Sequence, residues 1–213
     1  MSDSDLQAKK TRMEHVTRRD ALRKDGQAAL NFLLKEVLIT GLVIDSNIWM
    51  TQNYEPLFAV LRWLASQGYG ARASKRLTIP QVQFDEICLK KASTKYGTRP
   101  NMAARSALAR IDQLQAGRVF SVKAGYEARP AHGDPALLRL MSSMAGDGLR
   151  VCFISDDIEF CIRAREILGK YPAQQWKLLK MDEHILPIAN TILAACKVGA
   201  SPSFHIGLRS FRS

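Results

Sequence analysis

The apolar positions of this chain fall into short unbroken runs and into longer stretches of helical spacing. LVI, ahead of Asp45, and LRVCFIS, over 149–155, are continuous aliphatic runs bounded by turn formers. Such runs predict strands buried on both faces, as in a parallel sheet. RLTIP (76–80), RVFSV (118–122) and WKLLKM (176–181) predict three shorter strands. Between them, apolar residues recur at helical spacing in EPLFAVLRWLASQG up to Gly68, QVQFDEICLKKASTKYG after Pro80, and NMAARSALARIDQLQAG up to Gly117. DPALLRLMSSMAGDG adds a helix with Asp134 at its cap and Pro135 in its first turn, and DDIEFCIRAREILG one that stops at Gly169. HILPIANTILAACKVG predicts a last apolar segment interrupted at Pro187. Residues 5–38 predict helix broken at Gly26, with a basic, thinly apolar first part and a second part apolar enough to pack on the body. Strands alternating with helices predict an α/β fold with a mainly parallel sheet covered on both faces. The chain divides into a basic helical extension (1–38), the α/β domain (39–185) and a C-terminal helix and tail (186–213).

Composition narrows the class. Hydrophobic residues make up 46% of the 213 positions and charged residues 24%, as in a globular chain rather than a disordered one. No apolar stretch reaches the ~20 residues of a membrane helix, and the polar N-terminus has no secretory h-region. Cys88, Cys152, Cys161 and Cys196 are scattered without CxxC spacing, which argues against zinc and against a disulfide framework. A reduced, cytoplasmic protein is the expectation. The net charge of +11 is concentrated: Arg72 to Lys123 holds 11 basic and 3 acidic residues. That concentration points to a polyphosphate partner.

The candidate chemistry lies where the strands end. LVIDSN and CFISDD both close on acid, and ligands of parallel sheets sit at the carboxyl ends of the strands. Asp45 and the pair Asp156-Asp157 meet at one edge if their strands are neighbours. Asp85 and Glu86 stand about one turn into the helix after RLTIP, and Asp134 begins the helix before the second long strand. Two unit charges ~4 Å apart cost about 4 kcal/mol at an effective dielectric near 20. Such a cluster persists by taking up protons or by binding a cation, and oxygen ligands without histidine or cysteine select Mg²⁺ or Mn²⁺. An acidic centre beside a basic flank suits metal-assisted cleavage of a phosphodiester. Other acid-rich sites fail on spacing, because Asn47 stands where a haloacid-dehalogenase phosphatase needs its second acid. No GxGxxG or GxxxxGK[ST] is present.

LVIDSNIW, IPQVQFDEI, GDPALL and FISDDIEF, in that order, resemble the PIN-domain nucleases. That family shows an aliphatic strand ending in Asp, a helix carrying E-[LIV], a D-x-x-[IL] helix and a strand ending [TS]-x-D. The resemblance spans roughly residues 40 to 180. It implies a three-layer α/β/α sandwich with strand order 3-2-1-4-5 and a divalent-metal site. Asp45, Glu86, Asp134 and Asp157 would be the metal-binding and catalytic acids, with Ser155 supporting. A one-residue shift of the strand end exchanges Asp157 for Asp156, so Asp156 stands as the alternate. Asp85 faces away.

The activity implied is endonucleolytic cleavage of single-stranded RNA by metal-activated water, in a toxin-type or RNA-processing role. Lys90, Lys91, Lys95, Arg99 and Arg105 would form a basic shelf for the RNA. A nucleic-acid-binding module with a weak or inactive site, or a structure-specific DNA nuclease, are the alternatives. A second copy of the chain or a small antitoxin-like protein are further partner classes. The basic N-terminal helix and the tail after Met181 lie outside the resemblance. Trp49, Trp63 and Trp176 read as packing residues, and His132 as a loop histidine.

Overall fold

A computed structural model describes residues 3–38, 41–69, 77–92, 98–124 and 133–199. These residues are mainly helical around two small parallel sheets. The strands are β1 (Gly41–Ile44), β2 (Thr78–Pro80), β3 (Ser121–Lys123), β4 (Val151–Ile154) and β5 (Trp176–Leu179). One sheet runs β1-β4-β5 and the other pairs β2 with β3. A single parallel bridge, Leu42 to Leu77, links β1 to the start of β2. Gly41 pairs with Val151 and Ile44 with Ile154, so β1 and β4 end level with one another.

The helices are α1 (Asp3–Phe32), α2 (Ser46–Met50), α3 (Glu55–Ser66), α4 (Gln81–Ala92), α5 (Thr98–Ala116), α6 (Gly133–Gly146), α7 (Ile158–Leu168) and α8 (Leu186–Lys197). Side-chain alternation along the strands explains how they are arranged. Leu42, Ile44, Cys152 and Ile154 enter one apolar core with the end of α1, α2, α3, α5 and α8. Val43, Val151 and Phe153 enter a second core with α6 and α7. Because successive strand residues point to opposite faces, two cores require both strand registers to be apolar. This is why β1 and β4 read as unbroken aliphatic runs.

Several elements depart from their predicted form. Gly26 does not break α1, which continues to Phe32 with Gly26 and Leu30 buried. A mid-helix glycine costs ~1 kcal/mol relative to alanine, and packing of α1 along α8 offsets it. Residues 11–20 of α1 are exposed. Pro187 does not interrupt the last helix either. It occupies the first turn of α8, where no backbone N–H is required, after a wide turn over Met181–Ile185. The IWM that follows Asp45, given no element from the sequence, lies in the short helix α2 and buries Trp49 against Phe58 and Phe120 at ring centroid distances of 5.0 and 5.2 Å. Residues 93–97, predicted to end the α4 helix, lie outside the described residues, as do His132 and Lys95.

The strand predicted at 118–122 begins three residues late because the end of α5 consumes them. Val119 N–H donates to the Leu114 carbonyl (2.9 Å) and Arg118 N–H to that of Gln115 (2.9 Å), closing the helix. The left-handed residue of this cap is Arg118 (φ 56°), not Gly117. Gly117 answers a different need, since a Cβ there would lie 2.9 Å from that of Ala65 on α3.

Candidate acidic site

Asp45 follows directly on β1 and its backbone N–H extends the sheet ladder to the Ile154 carbonyl (3.1 Å). The residue is 3% exposed and its side chain caps α2. The level ends of β1 and β4 set Ser155 beside it. Ser155 Oγ donates to Asp45 Oδ2 (2.7 Å) and accepts from the Asp157 N–H (3.0 Å). A fully buried hydroxyl therefore ties the two strand-end acids together. Oδ1 of Asp45 has only long contacts, 3.4 Å each, from Ser46 Oγ and Asn47 N–H. Burial pushes the Asp45 carboxyl above its usual range. The hydrogen bonds from Ser155 and Asn47 oppose that shift, and the charge of Asp157 adds to it.

Asp157 caps α7, accepting from the Phe160 N–H at Oδ1 (2.9 Å). Asp134 lies in the first turn of α6, and Glu86 is the sixth of the twelve residues of α4. Desolvation raises the Asp134 carboxyl, and the charges of Asp45, Glu86 and Asp157 raise it further against a smaller pull from Arg163. Asp45, Glu86 and Asp157 thus each stand within electrostatic reach of Asp134. Glu86 has a partner of its own, Lys90 Nζ at 2.8 Å one turn along α4.

Asp156 diverges from this group. Its Oδ2 accepts from Tyr54 Oη (2.7 Å) and its Oδ1 from the Met181 N–H (2.8 Å). Both oxygens therefore join the segment after β4 to the turn before α3 and the segment after β5. Tyr54 Oη also lies 3.3 Å from Asp182 Oδ2. Burial, followed by Asp156 and Asp182, drives the Tyr54 hydroxyl well above its usual range. Nothing in the sequence singles out Tyr54, which stands 102 positions from its partner. Asp85 is exposed, accepts from Gln81 Nε2 (2.7 Å) and takes no part in the group.

The basic flank divides too. Lys91, Arg99 and Arg105 are exposed, without an ion pair among the described residues. Arg110, counted in the same flank, is buried instead. Its Nε meets Glu55 Oε2 (2.9 Å), its Nη1 donates to the carbonyls of Trp49 (2.6 Å) and Thr51 (3.0 Å), and its guanidinium stacks on Phe58. It holds α5 to the α2–α3 turn. Glu55 is desolvated, but Arg62 and Arg110 outweigh that and hold its carboxyl below the usual range.

As the side chains stand, no group of three His, Cys, Asp or Glu among the described residues converges tightly enough to hold a metal ion. The donor chemistry around Asp134 is oxygen alone, and its carboxylates repel one another. Oxygen donors suit a hard divalent cation such as Mg²⁺ or Mn²⁺ better than zinc, but as placed they form no group that holds one.

No family model, characterised protein or solved structure matches the chain. No helix among the described residues is long and apolar enough to cross a membrane.

Proposed function

We propose that this chain is a divalent-metal-dependent endoribonuclease of the PIN-like kind, acting on single-stranded RNA. The observation that carries the reading is Asp134, whose carboxyl is raised first by desolvation and then by the charges of Asp45, Glu86 and Asp157. Three acids from separate segments bearing on a fourth favour a counter-cation, and the exposed Lys91, Arg99 and Arg105 suit a polyanionic substrate. The Leu42–Leu77 bridge supports the order 3-2-1-4-5, because it sets the β2–β3 pair beside β1. Apolar cores on both faces of the β1-β4-β5 sheet support the three-layer sandwich.

In this reading Asp45, Glu86, Asp134 and Asp157 hold Mg²⁺ or Mn²⁺. When bound, such an ion polarises the phosphodiester and lowers the pKa of a water for in-line attack. The chain's own contribution is positional. Ser155 takes up Oδ2 of Asp45, which leaves Oδ1 as the oxygen with only long contacts. The α7 cap takes up Oδ1 of Asp157 and leaves Oδ2. Asp156 has no oxygen to spare, which favours Asp157 as the fourth acid. The basic residues of α4 and α5 neutralise substrate phosphates.

The test is cleavage of a mixed single-stranded RNA with Mn²⁺ and with EDTA, beside branched DNA. Asp45→Asn should abolish Mn²⁺-dependent cleavage while the variant stays folded. Cleavage by Asp45→Asn at the parental rate would sink the site assignment. RNA bound but not cut by the parent would favour the binding module, and preferential cutting of branched DNA the structure-specific nuclease.

A further inference from the structure

An open cleft of about 580 Å³ lies between α3, the turn before it and α5. Ser106 and Ala109, one turn apart on α5, are small enough to leave this room. The charges around it do not balance. Arg62 and Arg110 both line the cleft and both pair with Glu55, so one carboxylate serves two guanidinium groups. Arg110 is 5% exposed, yet its hydrogen bonding is incomplete. Its Nε donates to Glu55, and its Nη1 to the carbonyls of Trp49 and Thr51. Those bonds use three of the five N–H groups of a guanidinium. Nη2 has no acceptor among the described residues, and it is not sealed from solvent as the unpaired polar atoms of Trp49, Thr78, Gln83 and Trp176 are. The cleft that Arg110 lines is where it opens.

We propose, independently of the reading of the acids, that this cleft binds a small hydrophilic molecule by an oxyanion group, a phosphate or a carboxylate, held by Arg110 Nη2 and Arg62. A charged donor left unpaired in a largely buried place is costly, and an oxyanion supplies both the missing acceptor and the missing charge. The guanidinium fork matches two oxygens of one such group. Holding α5 to the α2–α3 turn accounts for Nε and Nη1 of Arg110, but it leaves Nη2 and the surplus charge without a purpose. Gln52, Ser106 and Gln113 also line the cleft and make no side-chain hydrogen bond among the described residues, so they can meet the rest of the molecule. The volume falls within the range of small-molecule sites, about 300–1,000 Å³, and the polar walls suit a hydrophilic ligand.

The experiment titrates the full chain at low salt, without divalent metal, with inorganic phosphate, a nucleoside monophosphate and succinate. Calorimetry reads the affinity, and amide NMR of the nitrogen-labelled chain reads the place. At least one probe should bind the parent and shift the amides of Gln52, Glu55 and the α5 residues around Arg110. Arg62→Gln should weaken that binding about 5- to 20-fold, the loss of a charge-assisted hydrogen bond at a half-exposed site. Ala109→Leu, which fills the cleft and keeps every charge, should weaken it too. Circular dichroism checks that both variants fold, and the two are independent of each other should one fail. Arg110 itself is left in place because it holds α5. Phosphate and monophosphate bound without succinate would assign the phosphate class, the reverse the carboxylate class, and all three the oxyanion itself. Absence of binding to the parent would overturn the proposal. So would binding that neither folded variant weakens, or shifts confined to other segments, since a basic chain can gather anions elsewhere on its surface.

Discussion

Replacing Ser155 by Ala tests how the acidic group is built, whatever it catalyses. The side chain is fully buried and makes two hydrogen bonds, donating to Asp45 Oδ2 at 2.7 Å and accepting from the Asp157 N–H at 3.0 Å. The first is to a buried carboxylate, of the kind that contributes about 1.5–3 kcal/mol, and the second leaves an amide unpaired at about 1 kcal/mol or more. A loss of about 2–4 kcal/mol near neutral pH follows, a large part of a typical domain's stability. The pH dependence has a definite sign. Burial raises the Asp45 carboxyl and Ser155 holds it down, so the serine stabilises the charged form. Its contribution is present where Asp45 is ionised and is lost as pH falls through the Asp45 titration, which burial places above the ordinary aspartate value of about 4. Chemical denaturation of the parent and Ser155→Ala between pH 3 and 8 measures this, and the gap should narrow on the acid side. In an Asp45→Asn background the same substitution should cost about 1–2 kcal/mol less, because the acceptor is no longer charged. A gap that stays constant with pH, or full additivity in the double variant, would refute the reasoning.

Asp157→Asn should cost far more RNA cleavage than Asp156→Asn, while Asp156→Ala should cost about 2–3 kcal/mol of stability through its lost bonds from Tyr54 and the Met181 N–H. Cleavage rates and denaturation midpoints check the two arms, and the reverse ranking of cleavage would move the fourth acid to Asp156. Replacing Lys91, Arg99 and Arg105 by Gln should weaken single-stranded RNA binding and flatten the slope of log K against log salt by about 2, at ~0.7 per phosphate contact. An unchanged slope, read by filter binding across salt, would shift the RNA path towards the exposed residues 11–20 of α1. Arg118→Gly should raise stability by about 0.5–1 kcal/mol by relieving a left-handed non-glycine residue, and a lowered melting temperature would contradict that.

The places of Asp45, Asp134 and Asp157 at element ends, the parallel strands and most helices were legible along the chain, because each is set by local pattern. Continuous aliphatic runs mark strands buried on both faces, and acids that close those runs lie at the ligand edge of the sheet. Only tertiary contacts decided the rest. Asp156 and Asp157 are adjacent and chemically identical, and what separates them is Tyr54, 102 positions away, together with the Met181 N–H. Arg110 looks like its basic neighbours until α5 turns it under the α2–α3 segment, where two backbone carbonyls and Glu55 need its protons. Gly26 and Gly117 share one signal and meet different fates: one lies buried in a continuous helix, the other admits α3 against α5. Local pattern fixes which residues bend, bury or bear charge. Which distant partner meets them depends on how the elements close on one another, and no short stretch of chain carries that information.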